Sequence, residues 1–540
     1  MPETQGNTPN HYDLIIVGAG AGGGTLARTL APTGRRVLIL ERGERIPQEA
    51  ENWEPTEIVS NRRYQTHEQW EDAGAGNEPF RPQAYYRVGG NTKVYGAVLQ
   101  RLREADFGEL RHRDGVSPAW PISYDEFEPY YSRAEDWYTI NGRSGDDPTE
   151  PRRSRDFPFP PMAHEPRIQQ CADRLAAKGF RPFHSELALN HDPARPGRNA
   201  CIRCATCDPF PCKIHAKSDA ETAGVLPALM HDNVTLQTGT RVRRLLPSAD
   251  GSRVAGLEVE VDGRVSTLTA DRYVLSCGAI NSAALLLHSA CDAWPDGAAN
   301  GSGLVGRGLM KHNHTALVAI SDEPNPTVFQ KTLGFNDYYF GSPAHGIDTP
   351  LGSVQLTGKA PWQRLQAFSD REMPEAVLRD LAAHCVNWWM TSEDLPDDEN
   401  RVTATPDGRP RVHFTPNNLA AHRQFLALWQ DQLRDIGFYM FWLKTMGRDV
   451  VWHQAGTCRF GHNPAASVLD VHCTAHGLPN LSVVDAAFMP AMGATNPTLS
   501  IIANAIRVGH HLADGDLPPL STSQPSNPQP EPTHHEHAQA

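Results

Sequence analysis

Two clusters of residues have the types and spacing to do chemistry before any fold is assumed. The first is Gly18, Gly20 and Gly23 in the order G-x-G-x-x-G, with Glu41 following Gly20 by 21 residues. In such a turn the first glycine lets the chain bend sharply. The second lets backbone approach a pyrophosphate, and the third lets helix and strand pack closely. The helix that opens there offers free N–H groups and the positive end of its dipole to phosphates. Glu41 is placed to accept hydrogen bonds from ribose hydroxyls, and its carboxylate would repel a 2′-phosphate. The pattern predicts a dinucleotide site without separating NAD from FAD.

The second cluster is Cys201-x2-Cys204-x2-Cys207-x4-Cys212. Thiolates at this spacing can ligate zinc or an iron–sulfur cluster. The familiar ferredoxin run has three residues before its last cysteine; this one has four. Disulfides and plain packing of reduced thiols are the other readings. The expectation is no metal, with Cys201, Cys204, Cys207 and Cys212 kept as cluster ligands in an open alternative.

The glycine turn needs a strand before it and a helix after it, and the sequence supplies both. Residues 12–17 are an apolar β-type run, 24–30 read as a helix rich in small residues, and 34–41 form a second strand ending in Glu41. This is the βαβ layout of a dinucleotide fold. Residues 43–81 are charged and lack periodicity, which suits a surface-exposed connection. A helix is expected over 124–138 and an irregular excursion over 142–166. Strands are expected at 234–237, 254–261 and 272–276, then a helix at 282–289. Residues 316–390 alternate apolar and polar positions as an antiparallel sheet would. A helix over 420–436, a strand over 481–485 and a helix over 499–512 complete the pattern. The Pro/Ser/Gln/His-rich stretch 518–540 reads as a disordered tail. Its histidines, His534, His535 and His537, are read as solvated rather than metal-binding.

The net charge is −13, with 39% hydrophobic and 21% charged residues. That composition supports a sizeable core and argues against nucleic-acid or anionic-membrane partners, which need a cationic footprint. No stretch approaches the ~18 consecutive apolar residues of a membrane span. Residues 1–10 are polar with no signal-peptide pattern, so the expected location is cytoplasmic. Ten cysteines in 540 residues are too sparse for a disulfide scaffold.

The far end of the chain reads His453-Gln454-Ala455-Gly456-Thr457-Cys458-Arg459-Phe460-Gly461, then Ser467 to Asp470, Leu481 to Asp485, Met489-Pro490 and Asn496-Pro497-Thr498-Leu499-Ser500. This order resembles the C-terminal signature of the glucose–methanol–choline (GMC) oxidoreductases, which are FAD enzymes. Gly89-Gly90-Asn91-Thr92 resembles the family's loop against the flavin. Residues 278–289 resemble its second signature, and 303–312 the turn after it. Trp120-Pro121-Ile122 and the Gly-Gly loop look most like the pyranose-oxidase and sugar-dehydrogenase branch. The match is thin over 142–200 and 316–445.

The resemblance implies an α/β protein: a Rossmann-like FAD-binding domain with a second, mostly antiparallel-sheet substrate domain. The expected segments are 1–105, 213–315 and 446–517 for the FAD domain, and 106–212 with 316–445 for the substrate domain and flavin cover. Cofactor contacts are expected from Gly18, Gly20, Gly23, Glu41, Gly89, Gly90, Asn91, Thr92, Asp485, Pro497 and Thr498. Asp485 is also a candidate helix cap, and the two roles can coexist.

A flavin that takes a hydride at N5 from an alcohol needs a base for the O–H proton. Histidine, with an ordinary pKa near 6.5, suits this, and in its motif His453 is the candidate. The family pairs that histidine with a second His or Asn, here Asn496, whose amide is expected to hold the substrate oxygen. Non-covalent FAD is expected, because residues 91–96 contain no histidine to tether it. The expected activity is oxidation of a CH–OH group in a sugar or other alcohol, with O2 or another acceptor. A hydroxynitrile-lyase-like reaction on the same scaffold is one alternative. Another is a dehydrogenase passing electrons through a cysteine-bound iron–sulfur cluster, as in membrane-coupled sugar dehydrogenases that resemble this family. Trp388 and Trp389 are candidates for a sugar pocket, but neighbours on a strand face opposite ways, so at most one lines it.

Overall fold

The computed structural model describes residues 11–191, 200–517 and Leu520. The expected tail at 518–540, apart from Leu520, lies outside the described residues.

The central sheet grows from the βαβ unit at the start. Strands Val234–Gln237, Val37–Leu40, His11–Val17 and Arg264–Leu275 lie side by side, continuing through Val254–Val261 to Thr240–Pro247. The first strand is the hub. Val17 pairs in parallel with Leu40 on one side and Leu275 on the other. Leu275 pairs in parallel with Val483. Such strands are buried on both faces, which is why they read as unbroken apolar runs. Helices Ala21–Leu30 and Thr498–Leu512 pack together at one face. A Cβ on Gly509 would stand 2.5 Å from the Thr29 Cγ2, so that glycine sets how closely the two helices approach. Strand Thr240–Pro247 is absent from the sequence reading, because its three arginines mask the pattern.

The second sheet is antiparallel throughout. Its order is Met440–Thr445, Asn313–Ile320, Cys385–Ser392, Ser353–Leu356, Leu333–Phe335 and Phe183–His184. Helix Leu419–Asp435 covers one face, where Phe425, Trp429 and Leu433 cluster with Leu317, Trp388 and Met390. The opposite face carries His314, Gln355, Trp389 and Thr391, one residue out of step, as the two-residue period demands.

The structure corrects two readings. Residues 316–390 are not strand throughout: Trp362–Phe368 and Glu375–His384 are helices, where Leu365 and Leu378 are buried. Residues 43–81 are not a plain exposed connection. Trp70 is fully buried at 0% exposure, in a strand that pairs with Glu78–Phe80 and Pro410–His413. Helix Pro166–Ala177, with its proline in the first turn, follows the irregular excursion and is also absent from the sequence reading. Among the described residues no helix is long and apolar enough to cross a membrane.

Candidate active site

The glycine turn opens onto a cavity of about 550 Å³ lined by Gly18, Gly20, Gly22, Glu41, Gly90, Asn91, Thr92, Asp485, Pro497 and Thr498, among others. Gly18 has φ +102°, and a Cβ there would lie 2.3 Å from the Ser276 carbonyl oxygen, so only glycine fits. Gly20 faces open space, with no protein atom within 4 Å of its Cβ position. Helix Ala21–Leu30 begins there with no side-chain cap and no acid in its first turn. Its leading N–H groups and dipole are therefore free for an anion. Gly23 is not on the cavity wall: its Cβ position is 2.0 Å from the Gly18 carbonyl oxygen, so it serves packing, as expected of the third glycine. Gly22 does similar work unannounced by the motif, with a Cβ position 1.8 Å from the Val484 carbonyl oxygen.

Glu41 accepts hydrogen bonds from the Ala19 and Gly43 N–H groups at 3.0 and 3.1 Å. Burial raises its pKa against those bonds. Each carboxylate oxygen keeps a lone pair for a ribose hydroxyl. The Gly-Gly loop sits across the cavity. Gly89 donates its N–H to the Ala19 carbonyl at 2.9 Å, and a Cβ on Gly90 would lie 3.4 Å from the Gly20 Cα. Lys93 locks the loop through buried ion pairs to Asp219 at 3.0 Å and Glu221 at 2.8 Å. Asp485 caps the turn Ala486–Phe488 through the Ala487 N–H at 2.9 Å and also accepts from Gly278 N–H at 3.0 Å. Burial pushes its pKa up to about 6. It stands on the cavity wall as well.

A smaller cavity of about 130 Å³ shares Tyr85, Asn91, Thr92, Trp452 and Thr498 with the first, and its wall includes both His453 and Asn496. Segments 453–457 and 278–282 are tied together by hydrogen bonds. Ile280 N–H donates to Gln454 Oε1, and Thr457 Oγ1 to the Ala279 carbonyl, both at 2.8 Å. Burial, and then the neighbouring His312, hold the His453 pKa far below its ordinary value, so its ring is neutral near pH 7. Asn496 Nδ2 donates to the Val98 carbonyl at 3.0 Å and to Gln355 Oε1 at 2.9 Å. Both its amide hydrogens are thus committed, which leaves the Gln355 amide nitrogen as a donor on this wall.

Trp389 lines the small cavity beside Trp452 at 5.8 Å between ring centroids, whereas Trp388 packs into the core at 5.1 Å from Trp429. Sequence reasoning missed Gln355 and the functional place of His312 and His314. The only signal was the His-x-His spacing at 312–314. Among the described residues those two and His453 form the one group of three or more ligand-type side chains within 4.8 Å. The four clustered cysteines form no such group. All four are free thiols, and Cys207 Sγ accepts from Lys331 Nζ at 3.5 Å. Asp208 and Pro209, in that same loop, reach the small cavity wall.

Profiles of the GMC oxidoreductases match residues 12–314 and 349–505. The 6'''-hydroxyparomomycin C oxidase of Streptomyces lividus is 32% identical, covering 94% of this chain and 92% of its own. The paromamine 6'-oxidase of Streptomyces fradiae is 31% identical with the same coverage. The fold superposes on pyridoxine 4-oxidase from Mesorbium loti with a TM-score of 0.64 at 20% identity, over 93% of this chain and 99% of that one. The uncapped helix end, the open Gly20 and the carboxylate at the strand tip suit a dinucleotide cofactor. The chain therefore belongs to the GMC oxidoreductases, FAD-binding enzymes that oxidise CH–OH donors.

Proposed function

We propose that the protein oxidises a hydroxyl of a sugar or related polyol to a carbonyl, with His453 as the base. One observation carries this reading: a neutral, half-buried imidazole and an amide pair meet on the wall of a small cavity that adjoins the glycine-turn cavity. FAD, bound non-covalently along Gly18, Gly20, Glu41, Gly90, Asn91, Thr92, Asp485, Pro497 and Thr498, supplies the hydride acceptor. His453 takes the hydroxyl proton. The Asn496–Gln355 pair holds the substrate oxygen, with Asn496 aiming the Gln355 N–H donors and leaving its own Oδ1 as acceptor. Such a pair fixes the C–H bond in a reactive orientation, and orientation alone is worth several kcal/mol of barrier. Trp389 and Trp452 offer apolar ring faces against which a pyranose can stack. The aminoglycoside names of two relatives support a sugar-like donor.

The test is anaerobic mixing of the purified holoenzyme with paromamine, pyridoxine, glucose and a wider set of polyols. Bleaching of the flavin absorbance by a member of the set is the expected result. A flavin that stays oxidised with all of them counts against the reading. Acid precipitation should release the flavin to the supernatant; a yellow pellet would mean a covalent tether.

A further inference from the structure

The base proposed above has two ring nitrogens, and only one of them can receive the substrate proton. His312 decides which. Its Nε2 lies 2.8 Å from the Gly493 carbonyl oxygen. A carbonyl can only accept, so Nε2 carries the hydrogen. His312 is neutral, since burial brings its pKa down to about 4, and its Nδ1 is therefore a bare lone pair. That Nδ1 is 3.0 Å from the Nδ1 of His453. The hydrogen between them must come from His453. The Nε2 of His453 is then left bare.

The surroundings hold this arrangement firmly. His312 has φ +62°, an uncommon conformation for a ring-bearing residue. The buried Asp394 enforces it by accepting the Lys311 N–H at 2.7 Å and the His312 N–H at 2.8 Å. The segment that supplies the Gly493 carbonyl is held in turn. Glu393 Oε1 accepts the Met492 and Gly493 N–H groups at 3.1 and 2.9 Å, while its Oε2 faces His112 at 3.1 Å. Burial pushes the Glu393 pKa up, but hydrogen bonding and charge from His112, with Ser117, outweigh it and keep the carboxylate ionised. An ionised carboxylate thus lies near His312 and holds the segment whose carbonyl bonds its Nε2. When His453 takes up a proton, its Nδ1–H becomes a charge-assisted donor to His312, which shortens and strengthens that bond.

Three imidazoles within 4.8 Å also resemble a metal site. A metal held by His312 and His453 would occupy the space that the 3.0 Å Nδ1–Nδ1 hydrogen bond already fills, so the geometry favours the hydrogen bond.

We infer that His312 is a positioning residue that fixes the tautomer of His453, so that Nε2 and not Nδ1 accepts the substrate hydroxyl proton. This rests on His453 being the base. The proton passes from the substrate oxygen to His453 Nε2, and no electrons pass through either ring.

The experiment uses holoenzyme labelled with ¹⁵N-histidine, with the His453 signals assigned by their loss in His453→Ala. In the resting wild type, His453 should show a protonated Nδ1 and a bare Nε2. His312→Leu should lose that fixed pattern. It should also slow anaerobic flavin reduction at least about tenfold, out of the ~10²–10⁴ that a positioned base contributes. The substrate is whichever of paromamine, pyridoxine or glucose reduces the wild type fastest, and its apparent dissociation constant should change little. His312→Gln, whose side-chain oxygen can accept from Nδ1–H, should recover much of the rate; a merely structural role would not distinguish the two variants in this way. A wild-type His453 protonated at Nε2 overturns the inference, whether or not the variants fold. A wild-type reduction rate in His312→Leu overturns it as well. If His453→Ala abolishes reduction while His312→Leu does not, only this inference falls. If His453→Ala reduces normally, the base assignment falls first.

Discussion

Asn496 donates to Gln355 Oε1 at 2.9 Å, and this bond leaves the Gln355 nitrogen as a donor on the wall of the small cavity. The two residues lie on different elements and are 141 positions apart. The asparagine opens the run Asn496-Pro497-Thr498-Leu499-Ser500, whereas the glutamine sits in strand Ser353–Leu356, paired opposite Trp389. A donor aimed at an oxygen that gains negative charge is commonly worth about 10²–10³ in rate. Gln355→Leu should therefore slow flavin reduction by roughly 10²-fold at saturating substrate. Stopped-flow absorbance under nitrogen reads this directly, and an unchanged rate would remove Gln355 from the chemistry.

The tryptophan neighbours should separate stability from binding. Trp388→Ala empties a fully buried site against Trp429 and should cost about 3–5 kcal/mol of unfolding free energy. Trp389→Ala, on the cavity side, should mainly raise the KM for a sugar-like donor. Denaturant titration and steady-state kinetics on both variants check the pair. A Trp388→Ala protein with wild-type stability would contradict the packing of Trp388 against Trp429.

The glycines divide in the same way. Gly22→Ala places a methyl 1.8 Å from the Val484 carbonyl oxygen and should lower the stability of the protein even without FAD. Gly20→Ala meets no protein atom within 4 Å, so it should leave the flavin-free melting temperature nearly unchanged while weakening FAD retention. Thermal melts with and without added FAD distinguish the two.

Acid should destabilise the fold through buried neutral imidazoles. His422 is 2% exposed and bonded to Thr315 and Ser392 at 2.9 Å each, and burial brings its pKa down to about 4. Its ordinary value in the unfolded chain is about 6.5. Between these values the unfolded state binds the extra proton. The stability His422 confers is thus complete above about pH 6.5 and is lost as pH falls toward 4. In His422→Gln the fall of stability across that window should be shallower by about one proton, measured as the slope of unfolding free energy against pH. An unchanged slope would place the titration elsewhere.

The parts of this molecule that were legible in the sequence are those whose meaning is local. The strand His11–Val17, the turn at Gly18 to Gly23 and the acid at Glu41 lie within 31 residues, and each carries its own physical signature. Helix Leu419–Asp435 was equally plain from its apolar spacing. Trp70 was not, because a short strand among charged residues has no period to read; it pairs with Phe80, and its strand joins residues 411–412 far along the chain. Helices Trp362–Phe368 and Glu375–His384 were hidden by prolines at 361 and 374, which read as loop punctuation but stand at the helix starts. His453 and Asn496 could be named from their motif, but Gln355 and His312 could not. Their roles exist only through contacts made over 141 residues in each case.

The most direct measurement is anaerobic rapid mixing of FAD-loaded His453→Ala with a donor that reduces the wild type. The flavin should remain bound and oxidised on the time scale of wild-type turnover, with a rate lower by at least ~10². A variant that holds its FAD and is reduced as fast as the wild type would contradict the claim that the His453 imidazole takes the hydroxyl proton.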